Sequence, residues 1–261
     1  MKIIVCIKQV PDTTEVKLNP ETGTLIRDGI PSIINPDDLC GLEEALKIKE
    51  QTGAHITVLS MGPPQAEKAL KQAFAMGADE VVLLTDRAFA GADTLATSLA
   101  LSGAIKTMDY DLIIAGRQAI DGDTAQVGPQ LAEHLGIPNV SYVEKIYELD
   151  ETSVTLKRQF EDRHQKIKAN FPCLITTLTG MNEPRYMRVS RVIDIYNENS
   201  VKIITAADIG IDVKSLGLKG SPTQVRRSFT KGLKAAGEKF ELPPKEAAKL
   251  IYDKLKEKNI I

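Results

Sequence analysis

With 261 residues, 43% hydrophobic and 26% charged, and only 18 Gly and 13 Pro, the chain can bury a sizeable core, which excludes wholesale disorder. Three cysteines and three histidines, widely spread and without ligand spacing, exclude a disulfide scaffold and a zinc site. A net charge of -2 gives no global attraction for nucleic acid or acidic lipid. The longest unbroken apolar run, Ile3 to Ile7, is far below the ~20 residues that span a bilayer, and no basic leader opens the chain. A soluble, cytoplasmic protein without membrane insertion is expected. The charge is unevenly placed: from Lys214 onward twelve Lys or Arg stand against five Asp or Glu. That leaves a tail of +7 and a body of -9, the pattern of a basic arm lying on an acidic surface.

In chain order, Lys2 to Lys8 is a continuous β-branched run of the kind buried on both faces. Val16 to Gly29 follows, two alternating runs around Asn19-Pro20-Glu21-Thr22-Gly23, read as a hairpin in the first crossover. Leu39 to Gln51 is helical, with Leu42, Ala45, Leu46 and Lys49 on one face, and Asn35-Pro36-Asp37-Asp38 before it has the chemistry of a helix cap. The strand His55 to Met61, the helix Pro63 to Met76, the strand Glu80 to Thr85, the helix Asp93 to Lys106 and the strand Asp111 to Gly116 continue the alternation. Such alternation implies a parallel sheet with right-handed crossovers.

After Pro138 the period falls to two over VSYVEKIYEL, SVTLKRQF and HQKIKANF, and the run Cys173 to Leu178 follows. An antiparallel section closing the sheet is expected. From about Val201 core signals thin out until a final helix beginning at Pro243, striped by Ala247, Leu250, Ile251 and Leu255. The expected organisation is α/β: a mostly parallel sheet with helices on both faces in residues 1–200, and an extended C-terminal arm ending in a helix in residues 201–261.

No Gly-x-Gly and no Gly-Lys-Ser/Thr occurs, so neither the dinucleotide fingerprint nor the P-loop is present. The informative segment is Gly116 to Gly136. A strand delivers Gly116, and a helix is expected to start near Asp123 or Thr124, with Gly122 and Gly128 letting the backbone approach a phosphate. Asp121 and Asp123 would repel that phosphate unless they cap the helix or bind a ribose hydroxyl. A capped helix and a nucleotide site are both open on spacing alone. Met61-Gly62-Pro63-Pro64 and Phe89-Ala90-Gly91-Ala92-Asp93-Thr94 end at the same sheet edge. Cys6 reads as a core thiol and His134 as structural.

KQVPD (Lys8 to Asp12), NPDD (Asn35 to Asp38), AMGAD (Ala75 to Asp79), GRQAIDGDTAQVG (Gly116 to Gly128) and NEPRY (Asn182 to Tyr186) resemble, in order and spacing, the β subunit of electron-transferring flavoprotein. The resemblance covers essentially the whole chain. It implies a Rossmann-like domain, an arm embracing an α subunit, and an adenine nucleotide held at Cys6, Asn35, Pro36, Asp37, Asp38 and Met61. It also implicates Gly116, Gln118, Asp121, Gly122, Asp123, Thr124, Ala125, Gln126, Val127 and Gly128. Asp121 to Pro129, Asp86 to Ser98 and Ser221 to Val225 resemble the electron-bifurcating branch of anaerobes, which keeps FAD where the mitochondrial-type branch keeps structural AMP. Ala92, Asp93, Thr94 and Thr97 are then expected beside the cofactor.

What the branch implies is oxidation of NADH, with electrons divided between ferredoxin or flavodoxin and the α-subunit flavin, which serves a partner dehydrogenase. The position after Tyr186 matches the family's recognition loop, with Val189 as apolar tip and Arg188 and Arg191 around it. Packing of Val189, Val192 and Ile193 onto the sheet is the other reading. The segment after NEPRY lacks the lysine-rich run often found there. A competing class, a nucleotide-binding regulator or an adenylating enzyme on the same kind of sheet, would need a Ser-Gly-Gly-x-Asp-Ser loop where this chain has KQVPDTTEV.

Overall fold

Near the N-terminus Ile3, Val5 and Ile7 join one apolar cluster while Ile4 joins another, so the first strand is covered on both faces, as its unbroken apolar run requires. The computed structural model describes residues 1–12, 31–198, 201–225 and 237–261. They fall into two compact units, Met1–Arg226 and Arg227–Ile261. The hairpin expected at Val16 to Gly29 lies outside the described residues.

In the first unit β1 (Lys2–Cys6) is followed by a short antiparallel pair, β2 (Gln9–Pro11) and β3 (Ser32–Ile34), and by α1 (Pro36–Thr52). β4 (His55–Met61), α2 (Glu67–Met76), β5 (Glu80–Leu84), α3 (Thr94–Ile105), β6 (Leu112–Gly116) and α4 (Val127–Leu135) then alternate. β7 (Asn139–Leu149), β8 (Ser153–Gln159), β9 (His164–Asn170) and β10 (Cys173–Thr177) come next. α5 (Val189–Glu198), β11 (Val201–Ile204) and the one-turn α6 (Gly217–Gly220) complete the unit.

The large sheet runs β11-β5-β4-β1-β6-β10-β7-β8-β9. Neighbours are parallel as far as β7, and β7-β8 and β8-β9 are antiparallel, so the fold is the mostly parallel α/β sheet with an antiparallel section. β10 inserts between β6 and β7, parallel to both. Leu42, Ala45 and Leu46 of α1 and Leu70 and Ala73 of α2 cover one face, while Ala100, Leu101 and Ala104 of α3 and Leu131 and Ala132 of α4 cover the other. Each fully buried Leu or Ile contributes about 1.5–3 kcal/mol. Lys49 leaves the apolar face: its amine pairs with Asp79 at 2.5 Å and donates to Gly77 O at 3.1 Å.

The chain builds β1, β4 and β5 in one direction and then places β6 on the opposite side of β1. The loops after β1 and β6 therefore lead to opposite faces, toward α1 and α4. An open parallel sheet binds ligands in the crevice at such a switch point, beyond the carboxyl ends of its strands. Residues after 200 first add β11 to the β5 edge and bury Ile204, Ala206, Ile209 and Leu216. The second unit carries α7 (Pro244–Glu257), in which Ala247, Leu250 and Leu255 are half-buried and Ile251 is exposed.

Candidate functional site

Two buried polar side chains from the start of α1 hold the crevice between β1 and β6. Asn35, wholly buried, donates from Nδ2 to Gln118 O at 2.9 Å and accepts from Ile120 N at 3.0 Å. It fastens the loop after β6 and does not cap α1, which lacks a side-chain cap; this corrects the capping role its sequence position implies. Pro36 opens the helix, where its missing N–H costs nothing. Asp38 bridges the diverging strands, accepting from Lys8 N at 2.7 Å beyond β1 and from Gly116 N at 3.0 Å at the end of β6. Asp37 reaches the other way: it accepts from the backbone N–H of Thr179 at 2.7 Å and from the Thr179 hydroxyl.

The loop beyond Gly116 has its own supports. Lys8 Nζ pairs with Asp121 at 2.6 Å, and Gln118 Nε2 donates to Asp123 at 2.7 Å. Both carboxylates that threatened to repel an anion are thus engaged, neither as a helix cap. The helix expected to start near Asp123 or Thr124 starts at Val127. Asp123 and Ala125 have φ of 49° and 52°, left-handed values that an α-helix cannot contain. Gln126, the residue before α4, makes no side-chain cap bond, so the first-turn N–H groups of α4 are left for a ligand or solvent. Thr94 Oγ1 donates to Gln126 Oε1 at 2.9 Å and ties the start of α3 to the start of α4. Gly128 lets α4 sit on β10: a Cβ there would lie 2.6 Å from Thr176 Cγ2.

At α3 the N-terminus is already occupied. The Asp93 carboxylate accepts from Ala96 N at 3.1 Å, from Thr223 N at 3.0 Å and from Thr223 Oγ1 at 2.7 Å, while Asp93 N donates to Ser221 Oγ at 2.8 Å. Burial opposes this charge, yet the hydrogen bonds from Thr223 and Ala96 outweigh it and hold Asp93 below the usual carboxylate range. An anion is therefore favoured at α4 and disfavoured at α3, where Thr94 and Thr97, both partly exposed, offer hydroxyls instead. Ala92 precedes this cap, partly buried.

Cys6 at the end of β1, Met61 at the end of β4 and Val127 at the start of α4 each border the same apolar cluster. Burial, and then the nearby Asp38, push the Cys6 thiol up to about 12, which keeps it protonated and poorly nucleophilic. Among the described residues no group of three or more His, Cys, Asp or Glu is placed to hold a metal ion, and no helix is long and apolar enough to cross a membrane. The donor set, an uncapped helix start, a glycine-packed helix and hydroxyl and amide groups around a half-apolar rim, fits a phosphorylated adenine ligand such as a flavin or adenosine nucleotide.

Away from this crevice, Val189 opens α5 and is 76% exposed, which excludes its packing onto the sheet; Ile195, at 0% exposure, is the residue that α5 buries, and the helix packs against α2. Arg191 is not a rim charge. Its guanidinium donates to Phe74 O at 2.8 Å and to Ala78 O, and lies 4.2 Å from the Phe74 ring centroid. Arg188 is exposed.

Several residues that hold the site escape a local reading. Lys8 stands in the quoted KQVPD segment, and Ser221 and Thr223 in SPTQV. Thr177, whose hydroxyl donates to Asp37 O at 3.0 Å, and Thr179 were signalled only by hydroxyls at the end of an apolar run. The family model for the electron transfer flavoprotein domain matches residues 22–208. The chain is 56% identical to the electron transfer flavoprotein subunit beta of Clostridium acetobutylicum, over 261 residues and the whole of both chains. It is 52% identical to the subunit of the same name in Thermoanaerobacterium thermosaccharolyticum, again over the whole of both. To the caffeyl-CoA reductase-Etf complex subunit CarD of Acetobacterium woodii it is 50% identical, over the full length of each.

Proposed function

The chain belongs to the electron transfer flavoprotein family, as a β subunit, and from that premise we propose that it holds FAD in the crevice between β1 and β6. It does so within a heterodimer with an α subunit. The observation that carries this reading is the bracing of residues 116–120 by Asn35 and Asp38 beside the uncapped start of α4. Phosphate rests on the first turn of α4, whose N–H groups and dipole favour an anion. Thr94, Thr97, Gln118 and Gln126 supply polar contacts, and Cys6 and Met61 an apolar wall. When bound, the flavin supplies the chemistry, taking electrons from NADH and dividing them between ferredoxin or flavodoxin and the α-subunit flavin. The protein contributes position, exclusion of water and the electrostatics that tune the potential.

Similarity to a subunit of a caffeyl-CoA reductase complex supports this bifurcating reading over a β subunit with structural AMP. Family membership sets aside a free-standing nucleotide-binding regulator. The complex is cytoplasmic, and the second unit, Arg227–Ile261, lies along the α subunit. A complex stripped of only the β-site nucleotide is expected to lose NADH oxidation by artificial acceptors; full activity after stripping would refute the proposal.

Docking to the partner dehydrogenase is assigned to the segment around Val189, exposed beside Tyr186 and Met187 at 96% and 50%, with Arg188 at its rim. An apolar anchor beside charge suits a transient interface. Val189→Ala should weaken electron transfer to the dehydrogenase by about 1–2 kcal/mol in binding, at unchanged melting temperature and flavin content. A lower melting temperature with intact partner affinity would show the opposite.

A further inference from the structure

From 178 to 188 the chain has no helix or strand, yet hydrogen bonds pin it to α1 and α2. Asn182 Nδ2 donates to Cys40 O at 3.2 Å and to Glu44 Oε2 at 3.0 Å. Arg185 grips Glu43 with two prongs, Nε to Oε2 at 2.9 Å and Nη2 to Oε1 at 2.9 Å, while its own backbone N–H donates to Glu43 Oε2 at 3.0 Å. Its Nη1 donates to Glu50 Oε1 at 2.5 Å. Glu43 and Glu50 lie two helical turns apart and share one face of α1. Further on, Arg188 N donates to Ala75 O at 2.9 Å, in the last turn of α2.

These bonds take the place of packing. A cavity of about 240 Å³ lies between Leu46 of α1, Met76 and Gly77 at the end of α2, and Arg185 and Arg188, so apolar contact does not fix the segment here. Glu43 is 3% exposed, and two charges taken out of water gain little net stability by pairing; an apolar pair of similar volume serves folding as well or better. What the guanidinium fork adds is geometry, because two parallel N–H···O bonds set direction as well as distance. Tyr186, Met187 and Val189 are left facing outward on the pinned chain. The same helix carries Asp38 in its first turn, so one rigid element locates both the crevice and this segment.

We propose that Arg185 is a positioning residue for docking: its attachment to Glu43 and Glu50 holds residues 186–189 in the conformation that the partner dehydrogenase recognises. The pair is kept for that pre-organisation and not for folding stability. This rests on the docking role assigned above to the segment around Val189. Because the segment is ordered before the partner arrives, binding does not have to supply the ordering of an irregular stretch of chain.

The test uses the purified α/β complex, with the host dehydrogenase that co-purifies with it as electron acceptor. Arg185→Met strands the Glu43 carboxylate in the interior, so its melting temperature should fall; Glu43→Leu combined with Arg185→Met removes both charges and should restore it. In both variants the KM for the dehydrogenase should rise about tenfold at unchanged kcat, and the Arg188 amide should lose its protection from hydrogen exchange. Arg185→Lys, which keeps the charge and loses the fork, should fall between. NADH oxidation by an artificial acceptor and the nucleotide content should match the wild type throughout. A wild-type KM in the double variant overturns the proposal, since the pair would then serve folding alone. So does an Arg188 amide that stays protected in it. Val189→Ala keeps the two readings apart: an unchanged KM there would refute the docking role, while exchange at Arg188 would still show whether Arg185 holds the segment.

Discussion

Replacing Gly116 by alanine is expected to lower the unfolding free energy by about 3–5 kcal/mol and to abolish nucleotide binding. An added Cβ would stand 2.0 Å from Asp38 Oδ1, 2.8 Å from Asp38 N and 2.9 Å from Asp37 Cβ. A backbone atom and a buried carboxylate both block it, so no flexible chain end can yield. The strand has to move away from α1, which breaks the Asp38 bridge between Lys8 and Gly116 as well as overpacking the core. Gly122→Ala is the matched control. Nothing lies within 4 Å of a Cβ there, and the change should stay within about 0.5 kcal/mol. Equal melting temperatures for the two variants, with nucleotide retained in both, would remove the bridge from the account.

The second large effect is a pH dependence centred on Asp38. Burial raises its pKa from the usual 3.8 to about 7, against the hydrogen bonds from Asn35, Lys8 and Gly116 and with a further push from Asp37. Because the folded pKa lies above the unfolded one, the folded protein holds the extra proton between the two. The stability contributed by protonated Asp38 is therefore complete below about pH 4 and lost as the pH rises through 7. A shift of that size corresponds to at most ~4 kcal/mol. Asp38→Asn carries no titrating proton at this position. In urea unfolding at fixed nucleotide concentration, the variant should gain on the wild type as pH rises from 4 to 8. A difference independent of pH would contradict the assignment.

How far these features were legible depended on their range. The runs around Ile4, Val58, Leu83 and Ile114 announce strands because apolar side chains fall on both faces, and both faces are covered. The period of two after Pro138 announces the antiparallel section for the opposite reason. The entry of β10 between β6 and β7 was not legible, since it depends on pairings 61 residues apart with β6 and 34–35 residues apart with β7. The expected start of α4 falls too early because Asp123 and Thr124 have the chemistry of an N-cap, while Asp123 and Ala125 adopt left-handed backbone and the helix begins at Val127. Asn35 has the chemistry of a cap, but an acceptor and donor 83 and 85 residues away in sequence compete better for its amide. Asp37 meets Thr179 across 142 residues, a contact no local pattern reveals. In α5, Val189 and Ile193 share the expected stripe, yet Ile195 is the residue buried where α5 packs against α2.

The central claim is that the crevice between β1 and β6 holds a flavin as its resident nucleotide. Denaturing the pure α/β complex and identifying the released nucleotides tests it most directly. Two FAD per heterodimer is the predicted result; one FAD with one AMP would contradict it.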